Sequence, residues 1–231
     1  MLRLASGSAR RTLLVRLLEI PFEAVPADVD EARVTSPANA KAAAVARAGA
    51  VTLAADTEIE LDGERVGKPS DEGDAITMLA DLAGRTHDAR TEVALVGASG
   101  RRVTFAVRSR VTFRPLSLRD IERYVGTGEP LDKAGGYAIQ GEGRRLVAAY
   151  QGCLANVTGL PLCHAYYALR RAGIVSKERP ERVCQEHFAF VCPVWRRAQR
   201  QGRALRDGAE YASWRNDVSG TTPAGDPARQ R

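Results

Sequence analysis

Strands that alternate with helices along most of this chain predict an α/β fold on a largely continuous mixed sheet. Three observations carry that reading. Val51 to Ala55 is a short run, apolar but for Thr52, which suits a strand buried on both faces. Two long strand-like segments, Thr86 to Val96 and Arg101 to Phe113, are joined by a short Gly-bounded turn, Gly97 to Gly100. Between the strands, apolar residues recur at helical spacing. The 231 residues suffice for one large domain or two smaller ones, with ample core either way.

The elements follow in order. Leu2 and Leu4 read as a first strand, and the small residues Ala5, Ser6, Gly7 and Ser8 as a turn. Ser8 is placed to cap a helix that Arg10 and Arg11 open and that turns Leu13, Leu14, Leu17 and Leu18 inward. Phe22 to Val25 is a strand, followed by an acidic loop with Asp28, Asp30 and Glu31. Pro37 starts an alanine-rich helix carrying Lys41, and the Val51 strand ends at Asp56. Ile59, Leu61, Asp62-Gly63 and Val66 form a hairpin, because Asp-Gly suits a tight turn. Gly67-Lys68-Pro69 is a rigid loop, and Asp71 heads a helix with Ile76, Leu79 and Leu82 inward. After the two long strands come a helix from Leu118 to about Val125 and Gly-rich loops at Gly135, Gly136 and Gly141. A helix after Pro161, with Leu162, Tyr166 and Leu169 on one face, closes the compact part.

Composition excludes several classes. No stretch approaches the ~20 apolar residues of a membrane span. Arg10, Arg11 and Arg16 break the one segment that could serve as a signal peptide. Cys153, Cys163, Cys184 and Cys192 therefore read as reduced thiols in the cytoplasm. The net charge of +6 is uneven: from Val175 onward 11 basic residues face 7 acidic ones, while the rest carries 23 against 21. Nucleic acid is not the expected partner, since the body is nearly balanced and a binder acting through the basic tail lacks aromatic platforms and any reading motif.

The charged residues that remain suit phosphate chemistry. A turn feeding a helix N-terminus offers backbone N–H groups to an anion, and Arg10 and Arg11 add planar donors there. Lys41 and Lys68 bring two further cations. Asp28, Asp30, Glu31 and Asp56 supply hard oxygens of the kind that hold hydrated Mg²⁺. Cations that cradle phosphates beside such carboxylates are what phosphoryl or nucleotidyl chemistry requires. For any single residue, a solvated or paired charge is the simpler account.

Taken together, LASGSARR, ADVDE, the Lys41 helix, AADT, GKP, GRTH, TGEPLDKAGGYAIQG and NVTGLPL resemble, in order, the Maf family of nucleoside triphosphate pyrophosphatases. The likeness spans roughly residues 2–172, so residues 1–174 are expected to form one Maf-like domain and residues 175–231 a basic extension, partly helical and disordered from about Val218. The resemblance implies an elongated fold similar to inosine triphosphatases, with two lobes around a central cleft. It implies hydrolysis of a nucleoside triphosphate to monophosphate and pyrophosphate with Mg²⁺ or Mn²⁺, and a link to septum formation. By the same resemblance Asp56 is the proton acceptor and, with Glu31, a metal ligand; Ser6, Ser8, Arg11, Lys41 and Lys68 bind phosphate; Arg10, Thr57 and Gln140 choose the base. Asp56-Thr57 and Ile139-Gln140-Gly141 look like the subfamily that prefers dTTP and UTP. The alternatives are a modified purine triphosphate such as 7-methyl-GTP, or a nucleotide-binding division inhibitor with little catalysis. A homodimer is expected.

The chain departs from the family pattern at several points. Ala9 stands in place of a usual Pro, Gly136 and Ala138 exchange the usual small residues around Tyr137, and Glu58 and Glu60 replace apolar strand residues. His87, the pair Asp132 and Lys133, Cys163 and His164 read as structural. Cys184, His187 and Cys192 lack a convincing fourth ligand for a metal. Trp195, Ala198 and Leu205 form a thin apolar stripe on a helix otherwise carrying arginines, whose default is a solvated basic face.

Overall fold

A computed structural model describes residues 1–204, 212–215 and 222–223. The predicted alternation becomes β1 (Leu2–Leu4), α1 (Ala9–Arg16), β2 (Phe22–Ala24), α2 (Pro37–Ala44), β3 (Val51–Leu61), β4 (Glu64–Val66) and α3 (Glu72–Leu82). Then come β5 (Thr86–Val96), β6 (Arg102–Phe113), α4 (Leu118–Val125), β7 (Val147–Gln151), α5 (Leu154–Thr158) and α6 (Leu162–Arg171). The extension adds α7 (Pro180–Phe188), α8 (Trp195–Ala204), β8 (Ala212–Arg215) and β9 (Thr222–Pro223). Among the described residues no helix is long and apolar enough to cross a membrane.

The sheet is mixed, with strand order β2-β1-β3-β5-β6-β7-β9, β4 added to β3 and β8 to β6. β1 pairs in parallel with both β2 and β3, Leu2 facing Phe22 on one side and Val51 on the other. β3 with β4 and β6 with β7 are antiparallel. The α/β class read from the sequence is the observed one. The expected disorder from about Val218, like Leu205 of the stripe, lies outside the described residues except at Thr222–Pro223.

Two compact units share the long strands. The first comprises Met1–Thr57, Thr91–Arg108 and Cys153–Asn216; the second comprises Glu58–Arg90, Ser109–Gly152 and Asp217–Arg231. In the first, Ala38 and Ala42 of α2 pack on Ala5, Ala54, Ala94 and Val96. Methyl-sized contacts let that helix lie close to the strands, which brings Lys41 against the sheet. α1 buries Leu14 and Val15, and Leu18 just beyond its end is buried too, whereas Leu13 is exposed. The expected face is thus rotated by one position, because Val15 rather than Leu13 completes the inward stripe. The extension's α7 and α8 both pack on α6, so every residue from Leu162 to Leu169 is buried and not one face alone. In the second unit α3 and α4 pack together, burying Ala75, Leu79, Leu82, Ile121, Tyr124 and Val125, with Ile76 only half-buried.

One expected boundary is corrected. β3 does not stop at Asp56 but runs on to Leu61, so Asp56 lies within the strand. The wholly buried run Val51–Asp56 gives way after Thr57 to a segment with only Ile59 buried, which pairs with β4 as the hairpin arm. The two predicted pieces are one strand whose surroundings change. Glu58 fits there because Arg90 and Arg65 pair with its carboxylate.

Candidate active site

The site grows from the carboxyl end of β1, where parallel strands of α/β sheets commonly present ligands. After Leu4 the chain leaves the sheet with the Ala5 N–H donating to the Leu53 carbonyl at 2.8 Å. The turn beyond is tied by its own hydroxyls: Ser6 Oγ accepts from the Ser8 N–H at 3.1 Å, and Ser8 Oγ from the Arg11 N–H at 3.5 Å. Ser8 therefore caps α1 as expected, and Ala9 in the proline position does not disturb it. The first-turn N–H groups of such a helix have no intrahelical acceptors, which makes this end of α1 suited to an anion.

Arg11 reaches back across the first unit. Its Nε donates to the Gly159 carbonyl and its Nη2 to Thr57 Oγ1, both at 3.1 Å. Thr57 Oγ1 lies 3.0 Å from Thr91 Oγ1, and the Thr91 hydroxyl donates to the Asn156 carbonyl at 2.9 Å. Those bonds fix a direction. Since Thr91 gives its proton to Asn156, Thr57 must give its own to Thr91 while accepting from Arg11. A hydroxyl has one proton and two lone pairs, so Thr57 retains acceptor capacity only. Burial lowers the Arg11 pKa, Asp56 raises it, Arg10 lowers it and Glu31 raises it, so Arg11 feels all three of these charges.

The centre of the site is a shared cation. Lys41 Nζ lies 2.7 Å from Asp56 Oδ1 and 2.7 Å from Glu31 Oε1. Lys41 and Asp56 are almost wholly buried, and Glu31 is partly exposed. Glu31 stands on a short 3₁₀ turn, Glu31–Arg33, capped by Asp30, whose carboxylate also pairs with Arg33 at 3.0 Å. Of the four acids expected near a metal, the structure thus joins Glu31 and Asp56, gives Asp30 a capping task and leaves Asp28 exposed.

What holds Lys41 in place leaves only a faint mark in the sequence. α2 is capped by Ser36. The buried Glu92 carboxylate accepts from the Ser36 hydroxyl at 2.8 Å and from the Ala38 N–H at 3.3 Å. A carboxylate at a helix N-terminus is favoured by both the free N–H groups and the helix dipole. The sequence signal for Thr91, Glu92 and Asn156 is a run of polar residues inside otherwise apolar elements, where a buried polar group needs a partner.

Lys68 and Gln140 belong to the second unit and are both exposed. Their segments are joined to each other, since the Gly135 N–H donates to the Gly67 carbonyl at 2.8 Å and Gly135 begins the run that leads to Gln140. That run is pinned by Glu129, which takes the Tyr124 hydroxyl at 2.7 Å and the Gly143 N–H at 2.9 Å, while the Ala138 N–H donates to Tyr124 Oη. A Cβ on Gly143 would come within 2.9 Å of the Ala138 backbone, so the fold admits nothing larger there.

The residues read as structural each have partners within the fold. His87 is buried, with Nε2 2.8 Å from Tyr137 Oη and its ring edge-on to Phe113. Burial holds its pKa down at about 3. Lys133 pairs with Asp132 and donates to the Glu129 carbonyl. His164 is wholly buried against Gln201 Oε1 at 2.9 Å, with its pKa pressed to about 4 by burial.

The site fits a hard divalent cation in a particular way. Two carboxylates already converge on one positive charge, the Lys41 ammonium. Among the described residues no three acidic, thiol or imidazole groups are arranged to hold an ion. An ion here would thus rest on two carboxylates, completed by water and phosphate oxygens, which is how Mg²⁺ is usually held.

The family model described as "Maf-like protein" matches residues 1–172. A "dTTP/UTP pyrophosphatase" of Myxococcus xanthus is 48% identical over 185 residues, covering 75% of this chain and 93% of that protein. Another from Moorella thermoacetica is 45% identical, covering 74% and 94%. A "Nucleoside triphosphate pyrophosphatase" of Xylella fastidiosa is 44% identical, covering 70% and 93%. A solved nucleoside-triphosphatase / dITP/XTP pyrophosphatase from Mycobacterium abscessus is 20% identical with a TM-score of 0.34, covering 50% of this chain and 74% of that one.

Proposed function

The chain belongs to the Maf-like family, and from that premise we propose that it hydrolyses nucleoside triphosphates, dTTP and UTP above all, to the monophosphate and pyrophosphate. The observation that carries the reading is the Lys41 ammonium held 2.7 Å from both Asp56 and Glu31, in the same unit as the capped turn of Ser6 and Ser8. A helix end suited to an anion and an acid suited to activating water thus belong to one unit.

In the proposed reaction, the turn and the first N–H groups of α1 receive phosphate oxygens, with Arg11 behind them as a buried cation. Lys41 is the movable member: a triphosphate oxygen competes with the carboxylates for its ammonium, and its transfer frees Asp56 Oδ1. Asp56 then accepts the proton of the water that attacks the α-phosphorus, and pyrophosphate leaves. Glu31 and Asp56 would hold a divalent cation, which supplies charge neutralisation along the phosphate chain when bound. Lys68 serves the leaving phosphates.

Base choice rests on Arg10, Thr57 and Gln140. Thymine and uracil share an acceptor–donor–acceptor imide edge, which a group that only accepts, such as Thr57, or an amide such as Gln140 can each partly satisfy. The names of the most similar relatives support the same preference. The proposal includes a homodimer acting on free nucleotides in the cytoplasm.

Pyrophosphate release from a panel of triphosphates, including 7-methyl-GTP, with Mg²⁺ or Mn²⁺ tests this directly. The expected result is preference for dTTP and UTP, and near-complete loss of turnover in Asp56→Asn with nucleotide binding retained. Absence of turnover on every triphosphate, or full activity in Asp56→Asn, refutes it.

A further inference from the structure

Part of the second unit is built around a carboxylate that the proposed reaction does not use. Glu129 follows α4 and opens a short 3₁₀ turn, Glu129–Asp132. Its backbone is held on both sides: the Glu129 N–H donates to Thr127 Oγ1 at 3.2 Å, and Lys133 Nζ donates to the Glu129 carbonyl at 2.6 Å. The Thr127 hydroxyl donates in turn to the Tyr124 carbonyl at 2.6 Å. The carboxylate so fixed meets the Tyr124 hydroxyl at 2.7 Å, the Gly143 N–H at 2.9 Å and the Glu142 N–H at 3.3 Å. Tyr124 Oη accepts from the Ala138 N–H at 3.2 Å. All of these residues belong to the second unit.

The bonds close a ring. It runs from Ala138 through Tyr124 to Glu129 and on to Gly143, and the chain from Ala138 to Gly143 completes it. A phenol has one proton, and here that proton goes to Glu129 while an oxygen lone pair takes the Ala138 N–H. Burial above all, and then the Glu129 carboxylate, push the Tyr124 pKa upward, so the phenol keeps the proton it donates. Inside the ring the Gly141 N–H donates to the Ala138 carbonyl at 3.1 Å, which makes Ala138 to Gly141 a tight turn with Gln140 third. Residues 135–139 are buried and Gln140 is exposed. Gly141 shows how closely the carboxylate is fitted: its extended backbone is open to any residue, yet a Cβ there would fall on Glu129 Oε1.

We propose that Glu129 and Tyr124 are positioning residues for base choice: by closing the ring they fix the turn from which the Gln140 amide pairs with an imide edge. The inference rests on the reading that Gln140 meets the base. An amide carries both a donor and an acceptor, so it separates one base from another only when its own backbone is held still. Hydrogen bonds weaken steeply off axis, and a misplacement of about 1 Å costs a site as much as roughly 100-fold. Uracil offers acceptor, donor and acceptor along its pairing edge, whereas cytosine offers acceptor, acceptor and donor. A turn free to shift would let the amide meet either edge.

The test compares kcat/KM for UTP and CTP, which share sugar and phosphates, in the full chain and its variants. Tyr124→Phe removes the link to Ala138, Glu129→Gln sets an amide N–H₂ among donors, and Gly141→Ala displaces the carboxylate while removing no polar atom. Each should lower the preference for UTP over CTP by roughly 10- to 100-fold, with CTP little affected. Added to Gln140→Ala, none should lower it further, because ring and amide act as one unit. A merely structural role would lower both substrates alike. Equal losses on UTP and CTP, a wild-type preference in a folded ring variant, or a loss that adds in full to that of Gln140→Ala overturns the proposal. Hydrogen exchange on the intact protein needs no variant to fold: the Ala138, Glu142 and Gly143 amides should be protected, and exchange at unfolded-chain rates overturns the ring. If Gln140→Ala itself keeps the wild-type preference, the reading of Gln140 fails and the proposal with it. A preference lost there but kept in the ring variants overturns the proposal alone.

Discussion

Replacing Lys41 by methionine keeps the unbranched stem, one atom shorter, and removes its charge. In the native site the ammonium lies 2.7 Å from one oxygen of each of two carboxylates. At an effective dielectric constant of about 20, one such contact is worth roughly 6 kcal/mol of gross attraction, most of it cancelled by desolvation. What the substitution costs is therefore the stranding of Asp56. A buried charge left alone costs about 3–5 kcal/mol. Arg11 lowers that figure because it feels the Asp56 charge, and Glu31 adds little because water reaches it. A net loss of about 3 kcal/mol lowers Tm by roughly 6–12 °C in a chain of this size. Mg²⁺ then discriminates. In the wild type it must compete with the ammonium for both carboxylates; in Lys41→Met they are open to it. At ten times its dissociation constant a bound ion returns about 1.4 kcal/mol, or roughly 3–6 °C. Thermal unfolding with and without Mg²⁺, in the absence of nucleotide, reads this out. The Mg²⁺-dependent rise should be larger in Lys41→Met than in wild type, while turnover stays low because phosphate has lost its partner. Equal Mg²⁺ shifts in both proteins, or a variant as stable as wild type, would show that Glu31 and Asp56 do not form a shared cation site.

Three further outcomes rest on named contacts. His87 and His164 are pressed by burial to about 3 and about 4, against about 6.5 in the unfolded chain. Their contribution is therefore complete above about pH 6.5 and is lost as pH falls toward those values, up to about 2 kcal/mol per histidine at pH 5; a Tm unchanged between pH 7 and pH 5 contradicts it. Thr57→Val removes the acceptor for Arg11 and the donor for Thr91, a loss of about 1–3 kcal/mol, and should reduce kcat/KM for dTTP and UTP more than for purine triphosphates; an even loss across bases would deny Thr57 a role in base choice. Glu92→Gln removes the negative charge at the head of α2, which should cost about 1–2 kcal/mol and lower kcat through a displaced Lys41. Retained activity at a lowered Tm would mean that Glu92 supports the helix without positioning the lysine.

The fold was legible where periodicity and punctuation agree. Ser8 and Asp71 as caps, the Asp62-Gly63 turn and the two long strands fell where local chemistry puts them. The misses share a cause, which is that burial is decided by neighbours distant in sequence. Leu13 and Val15 have equal claims to the inward face of α1 until the partner surface is known, and Val15 takes it. β3 reads as two pieces because its first half is buried on both faces and its second half on one. α6 reads as one-sided because nothing in its own sequence announces that the extension covers the other side.

The site was legible as a set of residue types but not as a circuit. Lys41, Asp56 and Glu31 each suggest phosphate or metal chemistry alone; only the structure shows that one ammonium neutralises both acids. That arrangement answers a physical difficulty. Two carboxylates brought together for a metal repel each other before it arrives, and a lysine between them supplies the missing charge. In the proposed reaction the same lysine moves to phosphate when the nucleotide brings its own cation, so one residue would serve the charge balance both before and after binding.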